Sequence, residues 1–144
     1  MSMVRTLLIL AAANAALSIP MAMLVKRDFS KRGRVSIPMA VWTGAAMHGN
    51  ALLLLAIAWF DRGSLGAPSI LTSAAGGFFA IAGAALIYLG RRAYADFSRV
   101  YGLKEDELID RGVYRWSRNP QYVGYGLFLG GVSLAALSVW AFVL

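Results

Sequence analysis

Between Glu107 and Gly131 the chain reads ELIDRGVYRWSRNPQYVGYGLFLGG, and side chains suited to recognition chemistry concentrate there. Asn119 followed by Pro120 predicts a helix start, because Asn is a favoured N-cap and proline at the first helical position forfeits no hydrogen bond. Free amides at such a start, beside Arg115 and Arg118, would favour a carboxylate or a phosphate. Tyr114, Trp116, Tyr122 and Tyr125 add aromatic faces suited to an adenine ring or a sulfonium cation. Gly124, Gly126, Gly130 and Gly131 then remove side chains over the next turns. Gly126 and Gly130 have the small-xxx-small spacing that would admit a ligand, another helix, or a second copy of the chain in a homo-oligomer. Taken singly, each feature has an ordinary explanation, since interfacial aromatics and arginines anchor many membrane helices. Their order within one short segment is what points to a binding site.

The elements that must position this segment are apolar. The chain has 144 residues, 59% of them hydrophobic and 15% charged, with a mean hydropathy of +0.63. Soluble domains carry nearer a quarter of charged residues. Four apolar segments, approximately 4–25, 36–60, 68–90 and 120–144, are each about as long as a helix needs to cross ~30 Å of hydrocarbon. The sequence therefore predicts an all-α, polytopic membrane bundle of four transmembrane helices forming a single domain. Twelve of the fourteen basic residues fall in the connections 26–35 and 91–119. Basic residues mark the cytoplasmic side, so both connections are expected there and the N-terminus outside. The start of the fourth helix would then face the cytoplasm, as in a bacterial inner membrane protein.

The first segment has a competing reading as a signal peptide, with Arg5, an apolar run and the small residues Ala13-Asn14-Ala15. Five basic residues in KRDFSKRGR, directly after Val25, would resist export and favour a membrane span.

The same topology signal accounts for the net charge of +7 without a nucleic-acid partner. Cysteine is absent, which removes disulfides, thiolate nucleophiles and Cys-based metal sites; a single imidazole, His48, leaves no basis for a metal centre. Asn14, His48 and Asn50 are costly in lipid and should face the bundle interior or water. His48 is a candidate for a substrate cavity, with a helix–helix hydrogen bond as its ordinary alternative. Asp61, at a helix end, reads as solvated.

Gly112–Gly124, GVYRWSRNPQYVG, resembles the G-x-Y-x-x-x-R-H-P-x-Y-x-G motif of the isoprenylcysteine carboxyl methyltransferase and phospholipid methyltransferase superfamily. Asp106-Glu107-Leu108-Ile109 takes the place of that family's His-x-Leu-Val stretch, and Tyr94–Tyr101 that of its aromatic, charged segment. The resemblance covers about the last third of the chain and implies an integral membrane enzyme using S-adenosylmethionine to methylate a membrane lipid or a prenylated or small hydrophobic acceptor. Carried over residue by residue, it implies a cofactor pocket of Asp106, Leu108, Ile109, Tyr114, Arg118, Asn119, Pro120, Gln121, Tyr122 and Gly124, set against the end of the third helix near Tyr88–Ala93. It assigns no catalytic acid or base. Asn119 stands where the family more often has His, and Asn does not titrate near neutrality. The family also continues into a cytoplasmic tail bearing an Arg and one or two Glu. A chain ending at Leu144 fits either a naturally short form or one lacking that part.

Two other readings compete. A small four-helix transporter would be expected to carry an acid deep in a span, and none of the four segments does. A non-catalytic assembly subunit would keep the bundle without turnover.

Overall fold

In the computed structural model, residues 2–94, 98, 102–103 and 112–144 are described. Helix α1 runs Met3–Arg32, α2 Ile37–Phe60 and α3 Ile70–Ala93. A 3-10 turn, Gly112–Arg115, precedes α4, Pro120–Ala136, and a short α5, Val139–Val143. Among the described residues there are no strands, and α1, α2 and α3 are long and apolar enough to cross a membrane. Helix α4 has 17 residues, a rise of about 26 Å, and α5 extends the same apolar stretch after a break.

Local chemistry sets the helix ends. Gly33 stops α1 in the left-handed conformation at φ 66° and donates its N–H to the Phe29 carbonyl. Asp28 accepts the Ser36 N–H at 2.7 Å and pairs with Arg32 at 3.3 Å, holding the start of α2 to the last turns of α1. Lys26, Arg27, Lys31 and Arg32, expected in a loop, instead lie on α1 itself, and Arg91 and Arg92 lie on the last turn of α3. At α3, Ser69 and Thr72 form a reciprocal capping box: the Ser69 hydroxyl accepts the Thr72 N–H and the Thr72 hydroxyl accepts the Ser69 N–H.

The tightest packing joins α3 and α4, and its cause is glycine at seven-residue spacing. A Cβ on Gly76 would lie 2.4 Å from the Ala135 nitrogen, and one on Gly83 2.4 Å from the Phe128 nitrogen. Reciprocally, a Cβ on Gly124 would sit 2.7 Å from the Gly83 carbonyl oxygen and one on Gly131 2.4 Å from the Ala80 nitrogen. The two backbones touch because no side chain stands between them. The expected close-approach pair behaves differently: Gly126 and Gly130 meet nothing within 4 Å, so Gly124 and Gly131 make the contact. An α-helix turns 3.6 residues at a time, and a shift of one or two positions moves a residue off the facing stripe.

At the end of the bundle opposite the basic connections, the α2–α3 turn clasps the break between α4 and α5. Gly63 and Leu65 donate their N–H groups to the carbonyls of Ala136 and Leu137, which α4 leaves unsatisfied as it ends. Asp61, expected to be solvated, instead accepts from Ser138 at 2.6 Å, Ser64 at 2.8 Å and the Trp140 N–H at 3.2 Å. Ser138 also caps α5 by accepting the Ala141 N–H. These bonds hold Leu137 at a positive φ of 47°, unfavourable for a residue with a Cβ. Ala11, Leu54, Ile57, Ala58, Ala136 and Ala141 form the buried core beside this clasp.

Helices α1 and α2 meet through Ala11 and through Asn14, whose side-chain amide donates to the Ala46 carbonyl at 3.1 Å. At the opposite end, the Val35 N–H donates to the Gly102 carbonyl at 2.7 Å, so the two basic connections lie together.

Gly83→Ala is expected to destabilise the folded chain by about 1–3 kcal/mol through overpacking, measured by unfolding in mixed micelles. Gly77, with nothing within 4 Å, should tolerate alanine with no loss. A second expectation concerns Asp61. Burial pushes its carboxyl up, but hydrogen bonds from Ser138, Ser64 and the Trp140 amide outweigh this and hold it below the usual carboxylate range. Its contribution to stability is then full above the unfolded value of about 3.9 and is lost as pH falls through the lower folded value. Asp61→Asn should remove that part of the acid dependence in a stability-versus-pH series.

Candidate functional site

The end of α3, the 3-10 turn and the start of α4 converge at the end of the bundle that carries the basic connections. Convergence follows from the glycine contact, since Gly90 continues the Gly76–Gly83 spacing by another seven residues. A Cβ on Gly90 would lie 2.8 Å from Gln121 Cγ and 3.6 Å from Pro120 Cγ. Pro120 is among the most completely buried residues in the chain.

Gln121, thus placed, donates its side-chain amide to the Tyr114 hydroxyl at 3.1 Å. The Tyr114 ring meets Tyr94 edge to face, with centroids 5.5 Å apart and planes at 88°. Desolvation by burial, then a hydrogen bond with Tyr94, push the Tyr114 phenol up to about 12, against a smaller opposing effect of Gln121. Tyr114 therefore keeps its proton throughout the physiological range and can act there as a donor, not as a base. Beside this pair, Leu89, Arg92, Ala93, Gly112 and Val113 line an open depression of about 480 Å³. That volume suits a nucleoside-sized ligand. Its lining combines apolar walls with the Arg92 side chain.

Of the residues singled out in the sequence, Tyr114, Pro120 and Gln121 are brought against the end of α3, and Gly124 against Gly83 and Ile87 farther along it. Arg118, Asn119 and Tyr122 are exposed, as are Arg115 and Trp116. Asp106, Leu108 and Ile109 lie outside the described residues. His48 is exposed on α2, next to Met47, whose carbonyl accepts the Tyr125 hydroxyl of α4 at 3.0 Å.

The helix start departs from its expected chemistry. Asn119 occupies the N-cap position, yet its side chain makes no capping bond. Its own N–H donates to the Ser117 hydroxyl, and its carbonyl accepts the N–H groups of Tyr122 and Val123. With Pro120 lacking an N–H, little of the first turn is left to hold an anion. Positive charge at this end resides in guanidinium groups instead: Arg92 at the depression, with Arg115 and Arg118 on the exposed approach.

Sequence reasoning missed Gly90 and the pairing of Tyr94 with Tyr114. The seven-residue recurrence of Gly76, Gly83 and Gly90, matched by Gly124 and Gly131, was the available signal. Tyr94 carried none, because nothing in one dimension ties it to Tyr114.

Residues 71–144, just over half the chain, match the family model of phospholipid methyltransferases. The matched region spans α3, the 3-10 turn, α4 and α5. Comparison with curated proteins and with solved structures returns no match.

Alkaline titration followed by phenolate absorbance should show one of the six tyrosines ionising near 12. Tyr114→Phe is expected to delete that step and leave the remainder of the curve in place.

Proposed function

Because the chain belongs to the phospholipid methyltransferase family, we propose that it transfers a methyl group from S-adenosylmethionine to a membrane lipid or another hydrophobic acceptor. The observation that carries this reading is the Tyr94–Tyr114–Gln121 cluster, which joins the Gly112–Gly124 motif to the end of α3 beside an open depression. The depression offers apolar walls for a nucleoside and the Arg92 guanidinium for a carboxylate, and the Tyr94 and Tyr114 rings beside it suit a purine or a sulfonium. S-adenosylmethionine supplies an electrophilic methyl carried on a sulfonium.

The chain's own residues contribute position and exclusion of water. Tyr94 and Tyr114 offer aromatic surface next to the depression, and Gln121 fixes the Tyr114 hydroxyl. Arg92 stands at the wall, with Arg115 and Arg118 on the exposed approach. Departure of a neutral thioether needs no acid, so orientation and desolvation supply most of the rate effect. An amine acceptor would have to arrive deprotonated, whereas a carboxylate acceptor would not. Tyr114, held protonated, would not serve as the base.

In this reading the chain spans the membrane four times, α4 with α5 being the fourth, and both basic connections face the cytoplasm, where the donor is dissolved. The acceptor would approach sideways from the bilayer along the face of α4 bearing Tyr122, Gly126 and Gly130, all exposed. His48, exposed on α2 next to the Met47–Tyr125 contact, is a candidate to line the acceptor's path.

Calorimetric titration of the detergent-purified chain with S-adenosylhomocysteine tests the donor site. Gln121→Ala should weaken binding about tenfold, the loss of one hydrogen-bonded positioning contact, while Ser69→Ala at the opposite end should leave it unchanged. Transfer of labelled methyl from S-adenosylmethionine into phospholipid vesicles tests the reaction. Absence of binding by the folded chain would overturn the proposal.

A further inference from the structure

A second cavity lies between α1 and α2, away from the depression beside Tyr114. It is an open groove of about 420 Å³, and α1 lines it with Met21, Ala22, Val25, Lys26, Phe29 and Ser30. Those positions recur at the spacing of one helical face, so the groove runs along α1 for roughly 14 Å. Its character changes along that length. Met21, Ala22 and Val25 form an apolar floor, and Lys26 and Ser30 stand towards the end that carries the basic connections.

Helix α1 has 30 residues and is about 45 Å long, against ~30 Å of hydrocarbon. The last turns of α1, with Lys26, Arg27, Lys31 and Arg32, therefore reach the headgroup layer. The groove straddles that boundary. Its gradient from apolar floor to cationic rim is the gradient of a phospholipid, acyl chain first and phosphate last.

Among the described residues, the charge on the rim has no ion-pair partner. Asp28, the nearest acid in sequence, is engaged with Arg32 and the Ser36 N–H. Lys26 makes no ion pair among the described residues. Thr43, on the α2 wall, spends its hydroxyl proton on the Met39 carbonyl, so it brings no free donor. What remains for a ligand is a flexible ammonium above an apolar trough.

We infer that this groove binds an anionic glycerophospholipid, with an acyl chain along Met21, Ala22 and Val25 and its headgroup charge against Lys26. The site is separate from the methyl-transfer site and does not depend on that reading. Its far wall includes Val35, which is bonded to Gly102 in the connection after α3, so an occupied groove would buttress the packing of the two basic connections.

The 144-residue chain, released from micelles holding equal amounts of dioleoyl phosphatidylglycerol and dioleoyl phosphatidylcholine, tests this by native mass spectrometry. Retained phosphatidylglycerol should exceed phosphatidylcholine by about fivefold, the worth of one lysine at an anionic surface. Lys26→Gln should abolish the preference, and Ala22→Trp, which fills the exposed floor without touching the core, should reduce retention of both lipids. Lys31→Gln, outside the groove, should leave the preference intact. Equal retention by the unmodified chain would overturn the inference, as would a preference that survives Lys26→Gln or retention of both lipids unchanged by Ala22→Trp. Displacement of the lipid by millimolar glycerol 3-phosphate would also overturn it, because the acyl chain would then contribute nothing.

Discussion

Backbone contact between α3 and α4 is the constraint from which the rest of the molecule follows. Gly76 and Gly83 on one helix and Gly124 and Gly131 on the other bring main chains so close that a single methyl group would collide with a neighbouring nitrogen or oxygen. In lipid there is no hydrophobic gain from pairing two apolar helices, so dispersion between closely fitted surfaces must supply the attraction. Absence of side chains at these positions is therefore what makes the pair specific. It also aligns Gly90 with Pro120 and Gln121, and so decides what the end of α3 can meet.

Both ends of this pair are then finished by polar chemistry, in different ways. At the basic end, Gln121 and the two tyrosines build a hydrogen-bonded aromatic corner over an open depression. At the opposite end, the α2–α3 turn supplies two amides to the open carbonyls of α4, and the Asp61 carboxylate gathers two hydroxyls and an amide around the chain break. A helix ending inside or near a membrane without such partners would leave carbonyls unsatisfied at considerable cost. The end with the Asp61 clasp also holds the buried core.

The family relationship rests on residues 71–144, the half of the chain containing the glycine contact and the aromatic corner. Helices α1 and α2 lie outside the match. They join the matched half through the apolar core, the Tyr125–Met47 hydrogen bond and the Val35–Gly102 link. They also contribute most of the groove with Lys26 on its rim. Candidate membrane spans therefore lie in both halves of the chain, while the family match covers only the second.

The sequence by itself determined the helical class, the placement of the apolar segments, the gathering of basic residues into two stretches of chain, the start of α4 at Pro120 and the family. Each of these is recorded in consecutive residues: hydropathy over a helix length, charge in a connection, proline at a first turn, or a motif within thirteen positions. Tertiary structure decided which glycines touch, since Gly124 and Gly126 read alike until the facing helix selects one stripe. It decided that Asn119 does not cap, because Ser117 and the local turn already absorb its backbone. It decided that Asp61 binds Ser138 across 77 positions, and that the apolar stretch ending at Leu144 breaks at Leu137. Relations of this kind depend on rotation about a helix axis and on partners distant in the chain, and a linear pattern carries neither.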